Sequence, residues 1–129
     1  MIQPLVKVYC SGGYVDIHPA DGPILVMNAV DGADMEVLKC FTEEYDVKRD
    51  LLLTRRKNLS EGSQFDAFTN LAHQLKGESR GIGHMELGEK FYQLEMASRA
   101  HRKDTLMALF PDTLDLWEHV VTSLRTCLP

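Results

Sequence analysis

The stretch that decides the fold is Ala72-His73-Gln74-Leu75-Lys76-Gly77-Glu78-Ser79-Arg80-Gly81-Ile82-Gly83. With the residues just before it, this stretch has apolar or small side chains three and four residues apart, which predicts one buried helix face: Phe65, Phe68, Ala72, Leu75, Ser79 and Ile82. At about 100° per residue, His73 projects roughly 130° away from that face, and Gly77 and Asn70 project almost opposite it. The sequence therefore predicts a helix, roughly over residues 64–80, that turns an imidazole and a bare glycine toward solvent.

Amphipathic patterns on both sides predict three more helices. The first runs from about Asp34 to Asn58, and the third covers about residues 84–100. The last has the clearest stripe, which Pro111 interrupts with a predicted kink or fresh start: Leu106, Phe110, Leu114, Trp117, Val121, Leu124 and Leu128. Four amphipathic helices with short connections predict an all-α fold, an antiparallel four-helix bundle over residues 23–129.

Residues 1–22 form an N-terminal extension with a different pattern. Two β-rich runs, residues 5–9 and 14–17, flank Cys10-Ser11-Gly12-Gly13, which predicts a short β-hairpin. The turn Asp21-Gly22-Pro23 separates this extension from the helical domain.

Composition excludes several classes of function. The net charge of −5 and the pI near 5.5 argue against nucleic acid, which needs an extended basic surface. No apolar run approaches the length of a membrane span, and no basic segment followed by an apolar one predicts a secretory signal. Three widely spaced cysteines without metal-type pairing predict a cytoplasmic protein.

The chemistry of the central helix starts with His73. An exposed imidazole is mostly neutral at pH 7 and is able to act as a nucleophile. Lys76, one turn on, is able to hold an ammonium near phosphoryl oxygens on that ring. Phosphoryl transfer needs positioning and charge neutralisation more than covalent machinery, so a partner is able to supply the rest.

This segment resembles the signature of histidine phosphotransfer (HPt) domains, the phosphoryl-carrying bundles of two-component phosphorelays. The family pattern is Ala-His-x-Leu-Lys-Gly-x-Ser/Ala, followed by a glycine ten residues after the histidine. Seven residues match it in register: Ala72, His73, Leu75, Lys76, Gly77, Ser79 and Gly83. Leu87 and Leu94-Glu95 continue the pattern on the next helix, and a looser resemblance extends from about Ile24 to Leu128.

The resemblance implies a role for each matched residue. It implies that His73 is the phospho-accepting residue, with Lys76 beside the phosphoryl group and Gly77 clearing the docking face. Glu95 matches a position where many members have a glutamate or glutamine near the imidazole, and a bond from one ring N–H would leave the other nitrogen free. Three further residues on or beside the exposed face are expected to contact the partner: Asn70, Gln74 and Arg80.

The expected function is that of a non-enzymatic phosphoryl carrier. By resemblance, His73 accepts a phosphoryl group from the aspartate of a receiver domain, in a response regulator or a hybrid sensor histidine kinase, and passes it to another receiver. No cofactor is expected in this chain, because the Mg²⁺ of the reaction belongs to the receiver.

Two alternatives stay open at this point. Glu78 stands where small residues are common in the family, and the N-terminal segment is unusual for it. Both features favour a helical adaptor that docks onto receivers without carrying phosphate. A metal-binding bundle is less favoured, because paired ligands on facing helices are not evident in the sequence. Six sulfur-containing or aromatic residues are predicted to be core or buried: Cys40, Cys127, Met85, Met96, Met107 and Trp117. The other histidines, His84 among them, are predicted to lie at the surface or in caps.

Overall fold

A computed structural model describes residues 6–10, 13–17, 32–60, 62–82 and 84–127. Strands β1 (Val6–Cys10) and β2 (Gly13–Ile17) pair antiparallel, with Val8 opposite Val15. Five helices follow: α1 (Gly32–Glu43), α2 (Tyr45–Lys57), α3 (Gly62–Gly81), α4 (Met85–Arg99) and α5 (Lys103–Cys127). The predicted boundary between residues 22 and 23 and the motif glycine Gly83 lie outside the described residues.

The predicted first helix is wrong as a single element, because it divides at Glu44 into α1 and α2. The helical hydrogen-bond pattern almost survives the break, since Glu44 N–H bonds to Cys40 and Lys48 N–H bonds to Glu44. On the two sides of the break, α1 packs mainly against α5, whereas α2 packs mainly against α3 and reaches α5 through Tyr45. The described helical part therefore has five helices packed around one core.

Helices α3 and α4 are antiparallel neighbours. Arg80 lies beside Gly88 at one end of the pair, and Thr69 lies beside Ser98 at the other. Thr69 Oγ1 and Ser98 Oγ are 2.8 Å apart, and Ser98 Oγ donates to the Phe65 carbonyl at 2.9 Å. Buried hydroxyls that are bonded in this way fix the register of the two helices, because a slip would leave them unpaired.

The core is organised around Trp117 of α5, which is almost completely buried. Its ring packs edge-on against Tyr45 of α2 at 4.9 Å and against Phe91 of α4 at 5.2 Å. The predicted stripe on α5 is confirmed from Leu106 to Leu124, and Leu128 lies outside the described residues. Pro111 is exposed and α5 continues through it, so a fresh start there was a wrong prediction.

Two histidines flank α4: His84 lies just before its first residue, and His101 follows its end. The N–H of His84 bonds to the Ser79 carbonyl at the end of α3, and His84 Nδ1 accepts the Leu87 N–H at the start of α4. His101 follows α4 with a left-handed φ of 53° and stacks on Phe65 at 4.7 Å. Hydrogen bonds from His101 N–H to Ser98 and from Arg102 N–H to Ala97 complete a Schellman motif.

Candidate functional site

His73 lies on the outer face of α3, and 60% of its side chain is exposed. The buried face predicted for this helix is confirmed, because all six of its side chains are buried: Phe65, Phe68, Ala72, Leu75, Ser79 and Ile82. The spacing of apolar residues thus predicted the direction of the imidazole correctly. The groups around the imidazole come in part from α4, and the apolar pattern of α3 alone does not predict them.

Glu95 of α4 holds one edge of this imidazole. His73 Nδ1 is 3.2 Å from both carboxylate oxygens of Glu95, and only 4% of the Glu95 side chain is exposed. An ionised carboxylate has only acceptors, so this contact requires the proton on Nδ1. In the neutral ring Nε2 then carries the lone pair, which leaves it as the nucleophilic nitrogen.

Two cations also bind the Glu95 carboxylate. Lys76 Nζ lies 3.0 Å from Oε1, while Arg99 reaches Oε2 with Nη2 at 2.9 Å and Nε at 3.0 Å. Burial acts to raise the pKa of Glu95, but hydrogen bonds from Lys76, Arg99 and His73 outweigh it and hold that pKa below its ordinary value. Glu95 is therefore a carboxylate at neutral pH, as the bond to His73 Nδ1 requires.

Lys76 is less exposed than a solvated surface cation. Only 15% of its side chain is exposed, and its Nζ lies 5.4 Å from the centre of the Tyr92 ring as well as on Glu95. An ammonium has three donors, so this one is able to keep Glu95 and still turn a donor toward a group on His73. The predicted place of Lys76 beside the histidine is consistent with this arrangement.

Gly77 lies in open space one turn beyond His73. A methyl group built on Gly77 would meet no atom within 4 Å, so packing within the described part of the chain does not require a glycine there. Asn70 and Gln74 lie on the same face and are exposed. Glycine in a helix interior costs about 1 kcal/mol relative to alanine, and packing within the described residues does not offset that cost at Gly77.

Arg80 crosses from α3 onto α4 through a gap at Gly88. A methyl group on Gly88 would lie 2.7 Å from Arg80 Cγ, and the Arg80 guanidinium lies 5.9 Å from the Tyr92 ring centre. Tyr92 thus supports two cations, Lys76 and Arg80, beside the exposed face of α3. Arg80 is exposed, as its predicted contact with a partner requires.

Glu78 does not point freely into this face. It pairs with Lys48 of α2, which also binds Glu44 at 2.5 Å, and Gln74 Nε2 donates to it at 3.3 Å. Burial acts to lower the pKa of Lys48, but hydrogen bonds to Glu44 and Glu78 raise it above its ordinary value. The unusual glutamate of the motif is therefore part of a contact between α2 and α3.

Three residues of the site were not predicted from the sequence: Arg99, Tyr92 and Lys48. Arg99 follows Glu95 by four residues on one helix, a spacing that pairs opposite charges, so this signal was available. Tyr92 precedes Glu95 by three residues on the same side of α4, and its role becomes visible only with α3 in place. Lys48 lies thirty residues from Glu78 in sequence, and no local pattern links the two.

Several minor predictions were wrong. Met85, Met96 and Met107 are exposed, because they lie off the buried stripes of α4 and α5. Cys40 is exposed in a cleft of about 360 Å³ between α1 and the end of α3, and the side chain of Cys127 lies outside the described residues. The prediction for His84, a surface or cap role, is confirmed as a cap, because His84 caps α4 and its side chain is buried.

An open polar hollow of about 420 Å³ lies beside His73, lined by Asp66, Thr69, Asn70 and Arg99.

Among the described residues, no group of three His, Cys, Asp or Glu side chains is arranged to hold a metal ion. None of the described helices combines the length and the apolar character that crossing a bilayer requires. In comparisons with protein-family models, curated proteins and solved structures, the chain matched none of them.

Proposed function

We propose that this chain is a phosphoryl carrier of the HPt type. In this proposal the described helices form an antiparallel four-helix bundle, in which α1 and α2 act as one bent helix and residues 1–22 are a hairpin extension. The observation that carries the proposal is an exposed imidazole whose Nδ1 is bonded to a buried carboxylate. This arrangement leaves one nitrogen nucleophilic and accessible, while the matched motif surrounds it in register.

The proposed step is one displacement at phosphorus. The lone pair of His73 Nε2 forms the N–P bond while the P–O bond to a partner's aspartyl carboxylate breaks, and that carboxylate leaves with the electron pair. The ring gains a positive charge, which the Nδ1–H···Glu95 hydrogen bond stabilises. The reverse step passes the phosphoryl group to the next aspartate. No small molecule is turned over, so the chain is a relay component rather than an enzyme.

The proposed partner is a receiver domain, which would bring both the aspartate and the Mg²⁺. The exposed face of α3 offers it Asn70, Gln74 and open space at Gly77. Exposed apolar side chains lie on the helices that have the most contacts with α3: Val47 and Leu51 on α2, and Met85, Tyr92 and Met96 on α4. In this proposal the receiver covers some of them, since burial of apolar surface favours association.

The alternative of a receiver-binding adaptor rests on Glu78 and on the unusual N-terminal segment. Glu78 pairs with Lys48, which gives this residue a role in the contact between α2 and α3 as well. The two functions predict different results in one experiment, in which a panel of phosphorylated receiver domains with Mg²⁺ is mixed with the chain. We expect acid-labile, alkali-stable labelling, which is characteristic of a phosphoramidate. Binding without labelling by any donor would instead support the adaptor.

Replacing Lys76 by alanine should slow transfer without abolishing it. The variant loses the cation closest to the phosphoryl group, while Glu95 keeps its bonds from Arg99 and His73. The loss of one charge-assisted hydrogen bond corresponds to a rate about tenfold to a hundredfold lower. Rapid-quench measurement of labelling gives this rate, and Lys90→Ala on the same pair of helices is a control. An unchanged rate would make Lys76 a bystander.

Replacing Gly77 by alanine should stabilise the fold and slow phosphoryl transfer. The added methyl group meets no atom of the described chain, so helix propensity should raise the free energy of unfolding by about 1 kcal/mol. We expect transfer to become slower at the same time, because the methyl group occupies the space into which the partner docks. Gly81→Ala, one turn farther along the same face, is equally unobstructed and shows how far along α3 the docking space extends. A wild-type transfer rate in Gly77→Ala would show that Gly77 does not clear a docking face.

A further inference from the structure

We propose that Arg99 is a positioning residue for His73, acting through Glu95. The inference rests on the proposed function and assigns a role to a residue outside the matched motif. Arg99 lies one turn after Glu95 on α4, and two of its nitrogens bind the same carboxylate oxygen, at 2.9 and 3.0 Å. The other oxygen binds Lys76, and His73 Nδ1 contacts both.

Two cations on one buried carboxylate have different tasks once a phosphoryl group arrives. Phosphorylation places nearly two negative charges on the imidazole, and Lys76 is the neighbouring cation that is able to reach them. When Lys76 turns a donor toward those oxygens, its single positive charge is shared between the phosphoryl group and Glu95, so its hold on Glu95 Oε1 weakens. Arg99 then remains as the other cation bound to Glu95 in the described part of the chain.

A buried carboxylate that loses its cations becomes protonated or changes its orientation, because an unpaired charge is costly in a dry site. Either change would remove the acceptor that keeps the proton on His73 Nδ1. Arg99 therefore preserves the tautomer and the ring orientation during the part of the reaction when Lys76 is engaged elsewhere. The Arg99 side chain is 53% exposed and lines the polar hollow, where Asp66 is the other charged side chain.

The first test measures the tautomer of His73 directly, without any phosphoryl donor. Lys76→Ala is the background, because Arg99 is then the cation left on Glu95 in the described part of the chain. Nitrogen-15 NMR of the unphosphorylated protein should show mainly the Nδ1–H tautomer in Lys76→Ala and a mixture in Lys76→Ala/Arg99→Met, in which methionine keeps length and loses charge. Arg99→Lys in the same background should recover part of the preference, because an ammonium is able to bind the carboxylate at one point. Arg102→Met in the same background, in the exposed turn after α4, is the control. Equal tautomer ratios in Lys76→Ala and Lys76→Ala/Arg99→Met would overturn the inference.

The second test measures transfer from a phosphorylated receiver. We expect Arg99→Met to be about tenfold slower than wild type, with Arg99→Lys between the two and Arg102→Met unchanged. In the double variant with Lys76→Ala the loss should exceed the product of the single losses, since Glu95 then has neither cation. If wild type transfers and Arg99→Met transfers equally fast, the inference fails and the proposed function stands. If wild type accepts phosphate from no donor, the proposed function fails, and with it the role of Arg99 in transfer, whatever tautomer is observed.

Discussion

Replacing His73 by glutamine is expected to abolish phosphoryl labelling and leave the fold intact. An amide nitrogen has no basic lone pair to attack phosphorus, so no other atom of the variant side chain is able to replace Nε2. The side chain is 60% exposed and lies opposite the buried face of α3, so the free energy of unfolding should change by less than about 0.5 kcal/mol. Function and stability should therefore separate cleanly at this position.

The measurement is labelling by a phosphorylated receiver at saturating donor, followed by circular dichroism and urea unfolding of the same samples. His119→Gln is the matched control, because His119 is also an exposed histidine on a helix. We expect wild-type labelling of His119→Gln and none of His73→Gln. Full labelling of His73→Gln would move the phosphoryl site to another residue and end the assignment.

Mild acid is expected to destabilise the protein through His84. Burial, the larger influence, lowers the pKa of His84 to about 4 in spite of a backbone hydrogen bond, whereas the ordinary value is 6.5. Its Nδ1 already accepts the Leu87 N–H, and Nε2 has no hydrogen-bond partner among the described residues. Protonation would place an uncompensated charge in the interior and would also remove the acceptor that caps α4.

The depressed pKa sets the direction and the pH range of this effect. Above pH 6.5 the histidine is neutral in both the folded and the unfolded chain, and its contribution to stability is fully present. As the pH falls, the unfolded chain binds the proton first, so the free energy of unfolding decreases until the folded form titrates near pH 4. Between pH 6.5 and about pH 4.5 the expected loss is about 2 kcal/mol.

Urea unfolding at several pH values within this range, followed for wild type and His84→Asn, checks the prediction. Asparagine caps helices well but has no titratable group, so the variant should lose the steep pH dependence even if it is less stable at neutral pH. The pKa of Glu95 is lowered, so its contribution is lost only below the ordinary carboxyl value of 4.5. Parallel pH curves for the two proteins would contradict the assignment to His84.

The helices and the direction of His73 were predictable from sequence because they depend on local periodicity. The seam from Phe65 to Ile82 and the stripe from Leu106 to Leu124 both repeat at three and four residues, and burial follows that repeat. The division at Glu44 was not predictable in this way. It accompanies a change of main neighbour, from α5 for α1 to α3 for α2, and the local pattern of residues 34–58 carries no signal of that change.

The candidate site was predictable in its centre and not at its edges. The register of the motif placed His73, Lys76 and Gly77 on one side of α3. The spacing of four residues between Glu95 and Arg99 indicates an ion pair along α4. The Lys48–Glu78 pair joins residues that are distant in sequence. The passage of Arg80 over Gly88 depends on how α3 packs against α4. Met85 and Met96 were assigned to the core from residue type alone, although their phase on α4 places them outside it.

The arrangement of Trp117 has a practical consequence for all of these experiments. It is the sole tryptophan of the chain, and its indole touches one aromatic ring from α2 and one from α4. Its fluorescence emission should therefore shift to longer wavelength only when three helices separate and water reaches the ring. A spectroscopic readout of global unfolding is thus present without any label, at a distance from the substitutions on the outer face of α3.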